Sequence, residues 1–425
     1  MKKDVLSKLK QLFTDKSAIF VLGIFLFHIF FIFYQLKLRA SFGWDQVDNA
    51  WAAIRILREH RYPLLGMVAK QNSGMYIGPL YYYLVAIFYY ITQLNPIASP
   101  LLAACTAIFS FFVIFFVSNG LFGKRVAVWS CFIYTVSSFI IQTEHNQWPV
   151  NFVAPISLLI FYFLFLSVTR DVKYLLYTAV GAGLAFHIHF TAIFYPLIIL
   201  CTLPLLPKSR KTILYVLFSL IIIIVIQTPQ IIYYFQHKQA TNNYQSYFQT
   251  YYQGLHLRRV LQLAHDAFIE FQAILDIPYS FLRSAVFLYI PSFIICYVWS
   301  TKEKHRFVLP YLIILWIAVP WLIFSTYKGA LTDYYFLSQL YIAVILYSYI
   351  TVWLLSVNKI LLSIPVLAFW SYFTFANVQA FFNLPEGNLE KNTTLVKTAV
   401  SNGKVINYTD GDPQSYLYYI YKPGQ

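Results

Sequence analysis

Eleven apolar runs of about 20 residues, joined by mostly short linkers, constrain this chain more than any other feature. They fall at roughly 17–36, 100–118, 126–143, 150–168, 174–190, 191–207, 212–229, 281–299, 308–326, 334–355 and 360–379. A helix of about 20 apolar residues can cross a bilayer. Only 11% of the 425 residues are charged, against about 25% in soluble domains. We therefore predict an all-α integral membrane protein with about eleven transmembrane helices.

Basic residues recur in alternate linkers and predict the orientation in the membrane. An excess of Lys and Arg marks the cytoplasmic side of short loops. The basic linkers contain Lys124, Arg125, Arg170, Lys173, Lys208, Arg210, Lys211, Lys302, Lys304, Arg306 and Lys359. They share a side with the basic N-terminus only if the tyrosine-rich stretch 81–94 lies in the outer interface or re-enters without spanning. We predict a multi-pass cell-membrane protein with a cytoplasmic N-terminus, and we assign the net charge of +15 to topology and not to nucleic-acid binding.

This topology places the polar segments of the chain on the outer face. They are a first outer loop at 41–94 with amphipathic interfacial helices, a turn at 144–151, a long segment at 231–279 and a C-terminal segment at 380–425. The transmembrane catalytic domain is predicted to cover 1–379. The small extracytoplasmic segment 380–425 is too short for its own core, so it should pack on the outer loops, with two or three short strands. No ATP is available there, so an enzyme on this face needs an activated donor in the outer leaflet.

Asp45, Gln46 and Asp48 open the first outer loop. Sugar transfer to a hydroxyl needs a base close to the acceptor oxygen, and a carboxylate serves this purpose. The three-residue spacing places Asp45 and Asp48 on one helical face. Asp45 and Asp48 are therefore candidate catalytic residues, with Gln46 beside them. The alternative is that Asp45 only caps the start of a helix.

A compact polar cluster follows at the next outer turn. Glu144 is a candidate second catalytic acid, or a metal ligand if a metal is present. Asn146, Trp148 and Asn151 are candidate substrate-binding residues. The alternative is an ordinary polar turn between two spans.

Two histidines, His187 and His189, interrupt a later apolar stretch of more than 30 residues. Residues two apart do not share a helical face, so the two do not form a convincing zinc pair. Histidine within a span normally faces a cavity or a partner. Both are candidate substrate contacts, with His189 favoured for a phosphate or an acceptor. The alternative is a hydrogen-bonded structural kink.

Several cations are candidates for binding a lipid-phosphate leaving group, because negative charge builds on that phosphate in the transition state. Arg55, Arg58 and Lys70 follow Asp45 in the first loop, and Arg258 lies in the long outer segment. The alternative for each is a solvated charge or one that binds lipid headgroups.

At these residues the sequence resembles bacterial and archaeal GT-C glycosyltransferases. It is most similar to the protein-mannosyltransferase and aminoarabinose-transferase-like superfamily. The matching elements are Asp45–Ala50, Gly78–Tyr83, Trp148–Asn151, His187–Thr191 and Thr228-Pro229, with Asp333-Tyr334-Tyr335 similar to a late His-Tyr-Phe element. Their order and spacing cover roughly residues 20–240, and the resemblance weakens beyond.

The resemblance implies a GT-C fold and inverting transfer from a polyprenyl-phosphate sugar, with Asp45 in the catalytic acid position. Tyr81, Asp333 and Tyr334 become candidate substrate contacts on the same basis. Gln46 stands where the family more often has Glu, so the second acidic role stays open between Asp48 and Glu144. No cofactor and no metal ligand are predicted, and the resemblance leaves a divalent metal open because metal dependence varies among these enzymes.

The sequence thus predicts a cell-envelope hexosyl- or pentosyl-transferase. Its partners would be a polyprenyl-phosphate sugar, an envelope acceptor (lipid, glycan or protein) and the bilayer, with no nucleic acid. A lipid-linked sugar flippase is the main alternative, for which internal repeats and matching broken helices are expected. No repeat is evident in the sequence, and a non-catalytic scaffold leaves the outer carboxylates without a use.

Overall fold

The computed structural model describes residues 16–68, 73–237, 245–247, 249–252, 254–263, 289–302, 305–329, 331, 333–357, 360–407, 409 and 411–422. The described part of the chain is helical, and its β-pairing is confined to two isolated bridges, Val68–Tyr76 and Tyr252–Tyr327. The α-helices described between residues 16 and 185 are α1 (Lys16–Phe33), α2 (Leu36–Arg39), α3 (Trp44–Leu57), α4 (Leu80–Ile91), α5 (Ala98–Phe122), α6 (Lys124–Val136), α7 (Ser138–Glu144), α8 (Val153–Thr169) and α9 (Tyr174–Ala185). The later helices are α10 (Phe194–Thr202), α11 (Arg210–Gln236), α12 (Tyr289–Ser300), α13 (Val308–Ser325), α14 (Leu337–Ser356), α15 (Ile360–Phe382), α16 (Leu389–Ser401) and α17 (Pro413–Tyr421).

Within the described residues, six helices are long and apolar enough to cross a membrane. A seventh span forms if α6 and α7, which meet at a bend of 69°, cross together. The six are Ala98–Phe122, Pro149–Thr169, Arg210–Gln236, Val308–Ser325, Tyr334–Ser356 and Ile360–Phe382. The prediction of an all-α membrane protein is confirmed, whereas the count of eleven spans stays a prediction.

The remaining apolar segments form shorter helices. At 174–190 the helix α9 ends at Ala185, and its 12 residues give a length of about 18 Å. The hydrocarbon core of a bilayer is about 30 Å thick. The turn at His187–His189 ends this helix before it reaches spanning length. The segment expected at 281–299 appears as α12, and its first residues lie outside the described chain.

The described helices differ strongly in how much of their apolar surface the protein itself buries. The Tyr334–Ser356 span has 72% of its most apolar window buried, whereas the Arg210–Gln236 span has 6%. The Tyr334–Ser356 helix is therefore central in the bundle. The Arg210–Gln236 helix packs chiefly along α9 at the periphery. Because both are apolar around their whole circumference, only the peripheral one needs lipid to cover it.

The first outer loop contributes two helices, α3 and α4, which pack against each other. Between them, Gly66 N donates to Ile77 O and Ile77 N donates to Met67 O, at 2.8 and 3.0 Å. Gln230 on α11 adds a hydrogen bond from Nε2 to Tyr76 O of 3.0 Å. The helix expected at 81–94 forms as α4 over Leu80–Ile91, and its location in the outer interface stays a prediction.

The C-terminal segment is helical, so the expectation of short strands was wrong at residues 413–421. Asp412 explains the difference, because its carboxylate accepts from Gln414 N at 3.3 Å and from Ser415 N at 3.2 Å. Pro413 follows at the first helical position, where proline favours a helix start. A capped start thus overrides the strand tendency of the tyrosine-rich sequence that follows.

This segment is fastened to the first outer loop by backbone contacts. Gly387 N donates to Leu38 O at 2.9 Å, and Leu389 N donates to Ala40 O at 3.2 Å. Phe42 N donates to the side-chain oxygen of Asn388 at 2.6 Å. The segment therefore supports the stretch of chain that leads into α3. The boundary proposed at 379/380 stays a prediction.

Candidate active site

Asp45 lies in the first turn of α3, where a negative charge interacts favourably with the helix dipole. Gly43 is the N-cap residue, and its N–H donates to Gln46 Oε1 at 2.9 Å. The Asp45 carboxylate is turned to a different partner, since its Oδ2 accepts from Trp148 Nε1 at 2.6 Å. Asp45 is thus not the residue that caps α3.

Three turns that are far apart in the sequence meet beside Asp45. The Trp148 ring contacts the Tyr334 ring edge-on, with centroids 5.2 Å apart. The Tyr334 ring contacts the His189 ring in the same way at 5.6 Å. Each of the three side chains is half-buried. Trp148, Tyr334 and His189 form what we call the aromatic wall, and Asp45 lies at its Trp148 end.

A layer of amides lies beneath the wall. Gln46 Nε2 donates to Gln147 O at 2.7 Å, and Gln147 Nε2 donates to Tyr81 Oη at 2.7 Å. Gln147 is almost completely buried and also accepts from Ser99 Oγ at 3.3 Å. These bonds fix the backbone that carries Trp148. Sequence reasoning missed Gln147, although it stands inside the polar cluster and next to Trp148.

Asp48 shares a face of α3 with Asp45, as its spacing predicted. Tyr82 Oη donates to Asp48 Oδ2 at 2.5 Å. Burial and then the nearby Asp48 carboxylate raise the pKa of Tyr82 well above its usual value, and the Arg55 charge opposes this. Tyr82 therefore stays a neutral hydrogen-bond donor to Asp48, with Arg55 close to the pair.

The Asp45 carboxyl has a pKa above its usual value. Burial is the largest cause, and the nearby Asp48 charge adds to it. The hydrogen bond from Trp148 acts in the opposite direction because it stabilises the ionised form. A carboxylate with a raised pKa is a stronger base, which suits it to accept a proton from a hydroxyl.

Glu144 is located in the interior and not in the wall. Its Oε1 accepts hydrogen bonds from Tyr134 on α6 and from Tyr341 on α14, and the side chain is 4% exposed. The structure thus offers Asp48, and not Glu144, as the carboxylate next to Asp45.

Both ring nitrogens of His187 form hydrogen bonds with backbone groups. Leu80 N donates to Nδ1 at 3.4 Å, so Nε2 carries the proton that is donated to Ile226 O at 2.9 Å. A Cβ atom at residue 78 would lie 2.1 Å from Nδ1, so only Gly78 permits this approach. His187 therefore joins α11 to the start of α4, and its role as a substrate contact stays a prediction.

The two asparagines shape the turn that carries Trp148. Asn146 Oδ1 accepts from Ser41 N at 3.3 Å. Asn151 Nδ2 donates to Asn146 O at 2.6 Å and to Thr143 O at 3.3 Å. Both side chains thus hold the turn against the start of the first outer loop.

The cations predicted to bind the lipid phosphate lie at different places in the structure. Arg58 donates from Nη1 to Tyr419 Oη at 3.3 Å and stacks on that ring, which places it against α17. Arg258 is exposed, whereas its neighbour Arg259 is half-buried and donates to Gly329 O at 3.4 Å, beside the turn that leads to the wall. Lys70 lies outside the described residues.

Asp333 opens the short 3-10 helix Asp333–Phe336 that carries Tyr334. Its side chain lies outside the described atoms. Among the residues that the structure describes, no group of three His, Cys, Asp or Glu side chains is arranged to hold a metal ion.

One family model matches the chain. Residues 77–233 match the family described as dolichyl-phosphate-mannose-protein mannosyltransferase. No curated protein sequence matches. The matched range includes α4, the Trp148 turn and the His187–His189 turn.

Solved structures share the fold over nearly the whole chain. The crystal structure of ArnT from Cupriavidus metallidurans bound to undecaprenyl phosphate superposes with a TM-score of 0.57 at 12% identity, covering 95% of this chain and 74% of ArnT. The apo oligosaccharyltransferase of Archaeoglobus fulgidus gives a TM-score of 0.60 at 11% identity, covering 96% of this chain and 60% of that enzyme. The same archaeal enzyme, AglB, in complex with an inhibitory peptide and a dolichol-phosphate gives 0.59 at 12% identity, with the same two coverages. The family-model match over residues 77–233 and the fold shared with these enzymes both support the resemblance to GT-C membrane glycosyltransferases.

Proposed function

We propose that this protein transfers a sugar from a polyprenyl-phosphate carrier to a hydroxyl of an envelope acceptor on the outer face of the membrane. The observation that carries the proposal is the Asp45 carboxylate, of raised pKa, held by Trp148 at the end of the aromatic wall. Solved relatives with the same fold contain undecaprenyl phosphate or dolichol-phosphate. A lipid phosphate is therefore the donor class that the comparisons favour.

The proposed reaction is a single in-line displacement. Asp45 accepts the proton of the acceptor hydroxyl, and the acceptor oxygen forms a bond to the anomeric carbon. The bond from that carbon to the phosphate oxygen breaks, and its electron pair leaves with the polyprenyl phosphate. One displacement inverts the anomeric configuration. The sugar ring lies against Trp148 and Tyr334, whose apolar faces suit the C–H surface of a sugar.

The remaining candidates take supporting roles in this proposal. Asp48, held by Tyr82, is the second acid and keeps the Asp45 pKa high. The charge of Arg55 acts on the Tyr82 hydroxyl that donates to Asp48, so Arg55 is the first choice for the departing phosphate. Lys70 and Arg258 stay candidates for the same phosphate.

Turnover of a labelled donor tests the function directly. Purified protein in nanodiscs should release label from one of a panel of polyprenyl-phosphate sugars when a membrane extract supplies acceptors. Sealed vesicles loaded with the same donors test the flippase alternative. Movement of intact donor between leaflets without release of label would replace the transferase proposal by the flippase.

The pH dependence of transfer should respond in opposite directions to two substitutions. Asp48→Asn removes a negative neighbour, so the pKa of Asp45 falls and the acidic limb of the kcat/KM profile moves to lower pH. Trp148→Phe removes the hydrogen bond that lowers this pKa, so the limb moves to higher pH. Profiles between about pH 4 and 9 measure both shifts. Limbs that move in the same direction would show that Asp45 is not the titrating base.

A further inference from the structure

Glu144 joins three helices in the interior of the bundle. It ends α7, and its Oε1 accepts from the hydroxyls of Tyr134 on α6 and Tyr341 on α14, the latter at 2.9 Å. Tyr134 Oη also lies 2.9 Å from Ala107 O on α5. The Oε2 atom is buried and has no hydrogen-bond partner among the described residues. A buried carboxyl oxygen without a partner lowers the free energy of unfolding. Its presence here therefore calls for an explanation.

Two of the helices that Glu144 connects, α7 and α14, lie next to the turns of the aromatic wall. Trp148 follows Glu144 by four residues, and Tyr334 precedes Tyr341 by seven. At the surface the Trp148 and Tyr334 rings meet at 5.2 Å. The two turns are therefore joined twice, by ring contact at the outer face and by the carboxyl–hydroxyl contact in the interior.

We propose that Glu144 is a positioning residue, which sets the Trp148 turn against the Tyr334 turn so that Trp148 Nε1 reaches Asp45. The proposal rests on the proposed transfer reaction, in which Asp45 accepts the proton. Loss of the interior contact removes the acceptor that the two buried tyrosine hydroxyls share, leaves Tyr134 Oη to Ala107 O, and frees the end of α7 to shift. Misplacement of a positioning group by about 1 Å costs up to about 10²-fold in rate.

Two substitutions separate positioning from direct chemistry. Glu144→Gln keeps an amide oxygen that accepts from both tyrosines, so kcat should stay within about threefold of the wild-type value. Glu144→Leu removes the acceptor, and kcat should fall by roughly 10–100-fold, while the KM of the donor changes by less than about twofold. Tyr341→Phe removes one of the two hydroxyls and should give an intermediate loss. Tyr341→Phe also tests the proposal if the Glu144→Leu variant does not fold.

A double-mutant cycle tests whether Glu144 acts through Trp148. In a Trp148→Phe background, Glu144→Leu should add less than about a threefold loss, because the contact that Glu144 positions is already gone. Thr351→Ala is the matched control, since Thr351 Oγ1 is buried and accepts from Trp370 Nε1 at 3.0 Å between α14 and α15, away from the Tyr334 turn. It should lower the melting temperature without changing kcat.

Amide hydrogen exchange gives a readout that does not depend on activity. Glu144→Leu should speed exchange at 145–152 and 333–336, and Thr351→Ala should not. Wild-type kcat and wild-type exchange in Glu144→Leu would overturn the inference, and so would a Glu144→Gln enzyme as inactive as Glu144→Leu. Absence of turnover by the wild-type protein would instead overturn the proposed function, and the exchange data would still decide the positioning.

Discussion

Asp45→Asn is expected to reduce sugar transfer by roughly 10²–10⁴-fold, the range that a general base contributes. The amide oxygen of asparagine still accepts the hydrogen bond from Trp148, so the geometry of the wall is kept while the base is removed. Folding raises the pKa of Asp45, so its ionisation disfavours the folded state at neutral pH. The asparagine variant should therefore melt at the same temperature as the wild type or slightly higher.

Asp171→Asn is the matched control for this experiment. Asp171 is a carboxylate on the linker between α8 and α9, where it pairs with Lys211 at 3.5 Å. The predicted topology places it on the opposite face of the membrane, so its loss should leave turnover unchanged. Both variants are compared with the wild type by release of label from the polyprenyl-phosphate donor in nanodiscs. Asp45→Asn turnover within about threefold of the wild-type rate would remove Asp45 from the reaction.

Gly387→Ala is expected to detach the C-terminal segment from the first outer loop. A Cβ atom at this residue would lie 2.0 Å from Ala40 O and 2.7 Å from Arg39 O, and both obstacles are backbone atoms. Relief of the overlap requires the segment to move, at a cost of about 3 kcal/mol of folding free energy. Because the same contact supports the chain entering α3, we expect transfer to fall by roughly 10²-fold as well.

Gly403→Ala provides the comparison within the same segment. Gly403 has a φ of +68°, and a Cβ atom there would meet nothing within 4 Å. The alanine variant should lose about 1–2 kcal/mol through its left-handed backbone but keep the docking contacts and the transfer rate. Thermal melts and turnover assays measure both variants. Equal activity in the two would show that docking of the segment does not control α3.

Local signals in the sequence predicted part of the candidate site. The three-residue spacing of Asp45 and Asp48 requires only a helix, and α3 supplies it. The contact between Asp45 and Trp148 joins residues 103 positions apart. Its two ends stood out as separate polar clusters, but no local pattern shows that they touch.

Features that depend on packing were not visible in the sequence. The residues around Glu144 have the composition of a surface turn, yet Glu144 is buried by tyrosines that come from α6 and α14. The hydrogen bonds of His187 were not visible either, because its partners, Leu80 N and Ile226 O, come from other parts of the chain. The strand expected near residue 416 failed for a local reason, since the helix-capping signal of Asp412-Pro413 was overlooked.

The fastening of the C-terminal segment to the first outer loop has a consequence for the timing of synthesis. Phe42 and Asn388 are separated by 346 residues, which a ribosome adding 5–20 residues each second covers in roughly 20–70 s. During this interval α3 has been synthesised without the segment that later supports it. The stretch that leads into α3 therefore gains this support only after residue 388 has been synthesised. If the proposed function holds, we expect a polypeptide that ends before residue 387 to carry Asp45 without this support and to be inert towards lipid-linked sugars.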